Sequence, residues 1–178
     1  MTDKKIAVFI DASNFNITIK RLYGIEYSVD KLIALLKEKF ESELGSNNIT
    51  SMMFYISSFQ NEEKTQKQKK FLNIMKRNHN FFDYHIFKLQ KAYTEGKEYI
   101  EKGLDTQMVA DIITTSSTYD IAVLLTEDAD FISAIDALKV MKKDSVVLMP
   151  EKAKGHHLRQ KAKVTILLND EDIKAIKR

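Results

Sequence analysis

The sequence predicts an α/β fold, a three-layer α/β/α sandwich in which helices cover both faces of a mainly parallel central sheet. Two observations lead to this prediction. Short apolar runs alternate along the 178 residues with segments of helical periodicity, as in chains built from strand, helix and strand units. The runs from Ile6 to Ile10 and from Ile121 to Leu125 are continuously apolar, which is typical of parallel strands buried on both faces.

The expected elements alternate from the first strand onwards. The helix expected over residues 29–43 begins after Ser28, a favoured N-cap residue, and repeats apolar side chains at three- and four-residue spacings. The helix expected near 129–142 repeats the pattern with Phe131, Ile135 and Leu138. We expect strands near residues 4–10, 51–58, 82–89, 120–125, 144–149 and 163–168, and helices near 14–22, 29–43, 62–78, 104–116, 129–142 and 170–177.

The alternation is interrupted between Lys88 and Gly103. The segment from Tyr93 to Tyr99 carries a turn glycine between two polar, weakly strand-like stretches. It predicts either a projecting hairpin or a loop. A substrate-facing flap and an ordinary connection both remain open.

Composition limits the classes of function. The chain has no cysteine, which excludes disulfides, thiolate zinc sites and cysteine nucleophiles, so a metal must be held by oxygen or imidazole. Its net charge of +3 is too small to argue for nucleic acid. There is no bilayer-spanning apolar run and no secretory signal, so we expect one domain over residues 1–178, no membrane association and a cytoplasmic location.

Three short acidic motifs are the best candidates for chemistry. Two of them, Asp11 to Asn14 and Thr126 to Phe131, follow the apolar runs directly. Because ligands of open α/β sheets bind beyond the carboxyl ends of the strands, neighbouring strands would let Asp11 and Asp128 share a cation. Aspartates at such positions also cap helices, so each motif alone has a structural explanation.

The third motif, Lys102 to Asp105, opens the amphipathic helix expected over residues 104–116. Asp105 would project from the start of that helix, where an acidic residue also has a structural explanation. Asp111 lies about 240° round the helix from Asp105, so we expect Asp111 to be structural.

Together the motifs resemble those of the NYN domains, PIN-like ribonucleases, and especially their LabA-like bacterial branch. The family pattern places Asp-x-x-Asn after a strand, Lys-Gly-x-Asp at a middle helix and Ser-Gly-Asp-x-Asp-Phe after a later strand. All three motifs occur here in that order, and the resemblance spans roughly residues 4 to 168. It implies a PIN-like, Rossmannoid fold and ribonuclease activity that depends on Mg²⁺ or Mn²⁺.

The resemblance also implies roles for single residues. Asp11, Asp105 and Asp128 are expected to be catalytic metal ligands, and Asp130 a further ligand or a carboxylate that orients water. Asn14 is expected to position metal-bound water or phosphate. Thr126 matches the family's hydroxyl position, and we expect Lys102 and Thr126 to bind substrate.

One position departs from the family pattern, because Glu127 stands where the family has glycine. Glycine permits close backbone approach and unusual dihedral angles. A glutamate here would narrow the site, add negative charge against a phosphate substrate, or point to solvent.

Two basic segments are candidates for contact with the RNA backbone. In the stretch from Lys152 to Lys163, we expect Lys154, His157 and Arg159 to bind substrate, although the stretch also suits the start of a surface helix. In the helix expected over 62–78, four basic residues lie opposite Phe71 and Met75. They are Lys69, Lys70, Lys76 and Arg77.

Three functional hypotheses follow. The first is metal-assisted endonucleolytic cleavage of single-stranded or structured RNA, and the second is a non-catalytic RNA-binding or regulatory module that retains the metal site. The third is a phosphotransfer enzyme similar to haloacid-dehalogenase phosphatases, which Ser13 disfavours because it occupies the place of their second aspartate. Whether the chain forms a homo-oligomer is left open.

Overall fold

Six parallel strands form the central sheet of the computed structural model, which describes residues 3–91 and 99–178. The described residues contain eight strands, of which β4 and β5 form a separate antiparallel pair. They are β1 (Ile6–Asp11), β2 (Ile49–Ser57), β3 (Phe82–Phe87), β4 (Leu89–Lys91), β5 (Tyr99–Glu101), β6 (Ile121–Leu125), β7 (Asp144–Pro150) and β8 (Val164–Leu168). The sheet has the order β3-β2-β1-β6-β7-β8, and all its neighbouring strands are parallel.

Helices cover both faces of this sheet, which confirms the predicted three-layer architecture. The helices are α1 (Ala12–Tyr23), α2 (Val29–Leu44), α3 (Glu62–Asn78), α4 (Leu104–Thr114), α5 (Ile132–Val140), α6 (His156–Lys161) and α7 (Asp170–Ile176). Apolar side chains of α1, α2, α3 and α7 form the core on one face, and those of α4, α5 and α6 form the core on the other. The sheet is therefore buried on both sides, as its continuously apolar strands require.

The strands that carry the first and third acidic motifs are direct neighbours. Strand β1 pairs with β6 so that Ile10 lies opposite Leu125. Asp11 and Thr126 therefore stand beside each other at the carboxyl edge of the sheet. Because the chain moves outward from β1 to β3 and then resumes at β6 on the other side of β1, this is a switch point of the topology, where open α/β sheets bind ligands.

Most local predictions are confirmed, and three differ. The Ser28 side chain accepts a hydrogen bond from the Lys31 backbone at 3.4 Å and caps α2 as predicted. Residues 129–131 form a 3₁₀ turn, and α5 begins only at Ile132. On the face expected opposite the basic residues of α3, Met75 is buried but Phe71 is 43% exposed, and Leu72 takes the buried position beside Met75.

The third difference is the short helix α6, which is absent from the expected elements, although the stretch from Lys152 to Lys163 suits the start of a surface helix. In the interrupted segment, β4 and β5 pair antiparallel, in agreement with the hairpin alternative. The predicted turn around Gly96 lies outside the described residues. Within the described ranges, no helix combines the length and apolar character needed to cross a bilayer.

Candidate metal centre

Three aspartates converge at the carboxyl edge of β1 and β6. Asp105, Asp128 and Asp130, the acidic trio, each offer one carboxylate oxygen, and these three oxygens lie within 4.8 Å of one another. Oxygen ligands of one octahedral Mg²⁺ lie about 3.0–4.2 Å apart, given Mg–O distances of about 2.1 Å. The trio is therefore close to the spacing that a bound cation requires.

Local backbone geometry places each member of the trio. Gly103 precedes α4 with a φ of 91°, a left-handed conformation that glycine adopts at little cost, and Asp105 follows in the first turn of the helix. The Asp128 backbone N–H donates to Thr126 Oγ1 at 3.1 Å, and Asp128 Oδ1 accepts from the Asp130 backbone at 3.0 Å. Asp128 thus caps the 3₁₀ turn and belongs to the trio as well.

Asp11 lies beside the trio but is not one of its members. It is only 4% exposed, and its Oδ1 accepts the backbone N–H of Asn14 at 2.9 Å, which caps α1. The predicted set of Asp11, Asp105 and Asp128 therefore differs from the set that the structure brings within 4.8 Å. Asp130 takes the third place because the turn after β6 brings its carboxylate close to that of Asp128.

Uncompensated negative charge surrounds both Asp11 and Asp105. Burial raises the pKa of Asp11 to about 7, against the hydrogen bond from Asn14, and the charges of Asp105, Glu101 and Asp128 add to this effect. Burial also raises the pKa of Asp105, with further contributions from Asp128, Glu101 and Asp130. A divalent cation would offset this repulsion and stabilise the ionised carboxylates.

Glu101 is a charged neighbour of the centre that the sequence analysis missed. It ends β5, is half-buried, and accepts a hydrogen bond from Ser57 Oγ at 2.5 Å. The only sequence signal was a carboxylate directly before the Lys-Gly-x-Asp motif. Glu101 was not considered because it lies in the segment expected to form either a hairpin or a loop.

Glu127 is held by two neighbouring segments. Its Oε1 accepts from Thr18 Oγ1 at 2.7 Å and from Arg21 at 2.5 Å, and its Oε2 accepts the backbone N–H of Lys154 at 2.9 Å. Burial opposes ionisation, but these hydrogen bonds and the Arg21 charge outweigh it and lower the pKa of Glu127. The side chain is 12% exposed, so of the three alternatives for Glu127 the one in which it points to solvent is wrong. Glu127 instead joins α1 to the loop after β7.

Three of the predicted substrate-binding residues make contacts that hold the backbone. Asn14 Oδ1 accepts the Glu127 backbone N–H at 3.1 Å, and Thr126 is 1% exposed beneath the turn that carries Asp128. The Arg159 guanidinium donates to the carbonyl oxygens of Pro150, Glu151 and Ala153, at 3.4, 3.1 and 2.8 Å. These contacts support positioning roles, and direct contact with substrate stays a prediction for all three.

The other three predicted substrate-binding residues, Lys102, Lys154 and His157, have exposed side chains. Lys102 precedes α4, and Lys154 lies in the loop before α6, which carries His157. The hydrogen bond from the Lys154 backbone to Glu127 places this loop next to the turn that carries Asp128 and Asp130.

Asp111 is structural, as predicted. Its carboxylate accepts hydrogen bonds from Tyr55 Oη and from Gln107 Nε2, both at 2.8 Å. His85 Nε2 lies 3.5 Å from the same carboxylate. Since Tyr55 is fully buried in β2, this contact fastens α4 to the sheet and leaves Asp105 at the site end of the helix.

Comparison with solved structures supports the fold. A protein of unknown function from Vibrio parahaemolyticus has 17% identity and a TM-score of 0.70, with 95% of each chain covered. An isochorismatase-like hydrolase from Alkaliphilus metalliredigens has 13% identity and a TM-score of 0.37, with 97% of this chain and 98% of that chain covered. Only the first of these is similar enough to bear on the architecture.

Comparison with protein families identifies the chain more closely. No curated protein matches the sequence. The profile of the NYN domain matches residues 5–169, which include all three acidic motifs and every strand of the central sheet. This protein therefore belongs to the NYN domain family.

Proposed function

We propose that this protein is a metal-dependent ribonuclease that hydrolyses RNA phosphodiester bonds with Mg²⁺ or Mn²⁺. The observation that carries the proposal is the convergence of Asp105, Asp128 and Asp130 at the switch point of a NYN domain. NYN domains are PIN-like and nuclease-related, and this site has the acidic character that hydrolysis of a phosphodiester requires.

The side chains of the site fit a hard divalent cation. The trio offers only carboxylate oxygens, the ligands that Mg²⁺ prefers, and the chain has no cysteine to favour a softer metal. Asp11 adds a fourth carboxylate beside the trio, and burial, together with the charges of neighbouring carboxylates, raises its pKa to about 7. When bound, the cation would supply a Lewis acid that activates water and neutralises phosphate oxygens.

The remaining residues would bind and orient the substrate. Lys102, Lys154 and His157 are exposed, Lys102 precedes Asp105 by three residues, and the Lys154 backbone contacts Glu127, so we infer that these side chains contact phosphate oxygens. The Asn14 side-chain oxygen is already bound to the Glu127 backbone, so only its amide N–H groups remain to donate to water or phosphate. Thr126 and Arg159 would act indirectly, by fixing the backbone that carries these groups.

A cleavage assay with matched variants tests the proposal. Wild-type protein, Asp128→Asn and the control Asp170→Asn are purified in parallel and incubated with mixed single-stranded and hairpin RNA in Mn²⁺, Mg²⁺ or EDTA. Asp170 is an exposed aspartate paired with Lys152, so its loss should leave cleavage unchanged. We expect Asp128→Asn and EDTA each to reduce cleavage by about 100-fold or more.

Two other results would change the conclusion. Cleavage that survives both EDTA and Asp128→Asn would refute the metal-dependent ribonuclease. RNA and Mn²⁺ binding without turnover would identify a non-catalytic RNA-binding module that retains the metal site.

A further inference from the structure

A groove lies at the amino edge of the sheet, at the opposite end of β6 from the metal centre. Two cavities of about 380 and 450 Å³ form it, and four residues line both of them. One of the four is Asp144, which pairs with Ile121 at the start of β6, whereas Asp128 follows the other end of that strand. The five residues of β6 span about 16 Å, so the two places are well separated. We call this feature the lysine groove.

The lysine groove concentrates positive charge. Six lysines against two aspartates line it, which gives a net charge of +4 in a chain whose total is +3. Asp144 pairs with Lys4 at 3.1 Å and with Lys163 at 2.5 Å, and Lys161 lies 3.8 Å from Asp136. The other three lysines form no ion pair with a described residue. They are Lys139, Lys142 and Lys143.

Ser145 lines the groove and has a hydroxyl hydrogen without an acceptor. It alternates along β7 with Val147 and Met149, so it faces the layer that contains α5 and α6, and it is only 5% exposed. Its Oγ accepts the Lys163 backbone N–H at 3.2 Å, but the hydroxyl donates to no atom in the described part of the chain. Such a buried donor is costly, and an anion in the groove would supply its acceptor.

Lys142 has a backbone conformation that lysine rarely adopts. Its φ is 57°, and it is the one non-glycine residue with a positive φ among those described. Its N–H donates to the Lys139 carbonyl at 3.1 Å and the Lys143 N–H donates to the Leu138 carbonyl at 2.9 Å, so Lys142 closes α5 where glycine is usual. Glycine would close the helix with less strain, and the groove would then lose this side chain.

Helix dipoles account for only part of the lysine groove. Lys139 and Lys161 lie in the last turns of α5 and α6, where positive charge is favourable. This does not account for the conformation of Lys142 or for the buried Ser145 donor. Lys143 is half-buried, and its Nζ donates to the Tyr119 carbonyl at 2.6 Å, which orients the ammonium group and leaves two of its hydrogens available.

We propose that the lysine groove is a binding site for phosphate groups. A phosphate carries negative charge and several acceptor oxygens, so it would accept hydrogen bonds from Ser145 and from the ammonium groups of Lys142 and Lys143. Free nucleotides and the RNA backbone share this chemistry. The site lies apart from the metal centre, and the inference does not rest on the proposed function.

Calorimetric titration in EDTA measures phosphate binding while no divalent cation is available to the metal centre. Inorganic pyrophosphate, adenosine 5′-monophosphate and a short single-stranded RNA are each titrated into wild type, Lys142→Gly, Ser145→Ala and Lys174→Gln. Lys174 is exposed on α7, which covers the opposite face of the sheet, so Lys174→Gln removes the same charge away from the groove. We expect Lys142→Gly and Ser145→Ala to weaken pyrophosphate binding by about 10-fold or more, and Lys174→Gln to leave it unchanged.

Thermal unfolding checks that each variant is folded. Lys142→Gly should be at least as stable as wild type because glycine relieves the left-handed strain, so its weaker binding would not come from unfolding. Tighter binding of RNA than of pyrophosphate, lost in Lys142→Gly, would identify the RNA backbone as the ligand. Binding of pyrophosphate or the nucleotide at least as tight as that of RNA would identify a free phosphate compound.

Three results would overturn the proposal. The first is a wild-type protein that binds none of the three ligands, and the second is wild-type affinity in both Lys142→Gly and Ser145→Ala. The third is an equal loss of affinity in Lys174→Gln and Lys142→Gly, which would show a general attraction of anions to positive charge without a defined site.

Discussion

Replacing Asp11 by Asn should stabilise the metal-free protein at pH 8. The wild-type carboxylate is 4% exposed and carries a charge near Asp105, Glu101 and Asp128. Asparagine has nearly the same shape, and its side-chain oxygen can still accept the Asn14 backbone N–H that caps α1. The substitution therefore removes the charge and keeps the cap.

The size of the effect follows from the pKa of Asp11. A pKa of about 7, against an ordinary value of 3.8, corresponds to about 4 kcal/mol at about 1.36 kcal/mol per pH unit. The new amide N–H₂ group must find partners, at a cost of about 1–2 kcal/mol. We expect a net gain of about 2–3 kcal/mol in the free energy of unfolding, or roughly 4–12 °C in Tm.

The pH dependence of stability has a definite sign. The folded protein keeps the Asp11 proton at pH values where the unfolded chain has lost it, because the folded pKa is raised. This contribution to stability is complete below about pH 4 and is lost as the pH rises to about 7. The advantage of Asp11→Asn should therefore grow between these pH values and stay constant above them.

Urea unfolding in EDTA at pH 4 to 8 measures the effect, with Asp170→Asn as the exposed control. Saturating Mn²⁺ should reduce the difference, because a cation bound by the trio offsets the repulsion that acts on the wild-type Asp11 carboxylate. An Asp11→Asn variant less stable than wild type at pH 8 in EDTA would refute the electrostatic reasoning.

Three further substitutions test contacts around the site, each by urea unfolding. Glu127→Ala should cost about 2–3 kcal/mol at pH 7, and since the pKa of Glu127 is lowered, the loss should shrink as the pH falls below its ordinary value of 4.5. Tyr55→Phe should cost about 1–2 kcal/mol without changing Mn²⁺ affinity, and a large change in affinity would contradict a structural Asp111. Gly155→Ala should cost about 1–3 kcal/mol because its Cβ would lie 2.6 Å from Met149 Cε, and unchanged stability would contradict this packing.

Local and periodic features of this protein could be predicted from its sequence. The runs at Ile6 and Ile121 are apolar without interruption because their strands are covered on both faces, and that pattern survives in the sequence. Ser28 is recognisable because an N-cap acts within its own turn. The order of the acidic motifs identified the family for a similar reason. Each motif is a short run of consecutive residues, which can be recognised without the tertiary structure.

Which carboxylates converge at the site depends on tertiary contacts, and these could not be predicted from the sequence. Asp11 directs one oxygen to Asn14 N–H, whereas the turn after β6 brings Asp130 to Asp128, and only these side-chain directions decide which carboxylates converge. Glu101 accepts a hydrogen bond from Ser57, a residue 44 positions away.

The placement of the Glu127 side chain could not be predicted from the sequence either. Its partner Thr18 lies 109 residues away on α1, and the side chain could not be placed until that helix was seen beside the loop after β7. The sequence by itself determined the strands, their burial and the family. The tertiary structure decided which carboxylates share one edge, because side-chain direction at a strand end is set by hydrogen bonds to residues far along the chain.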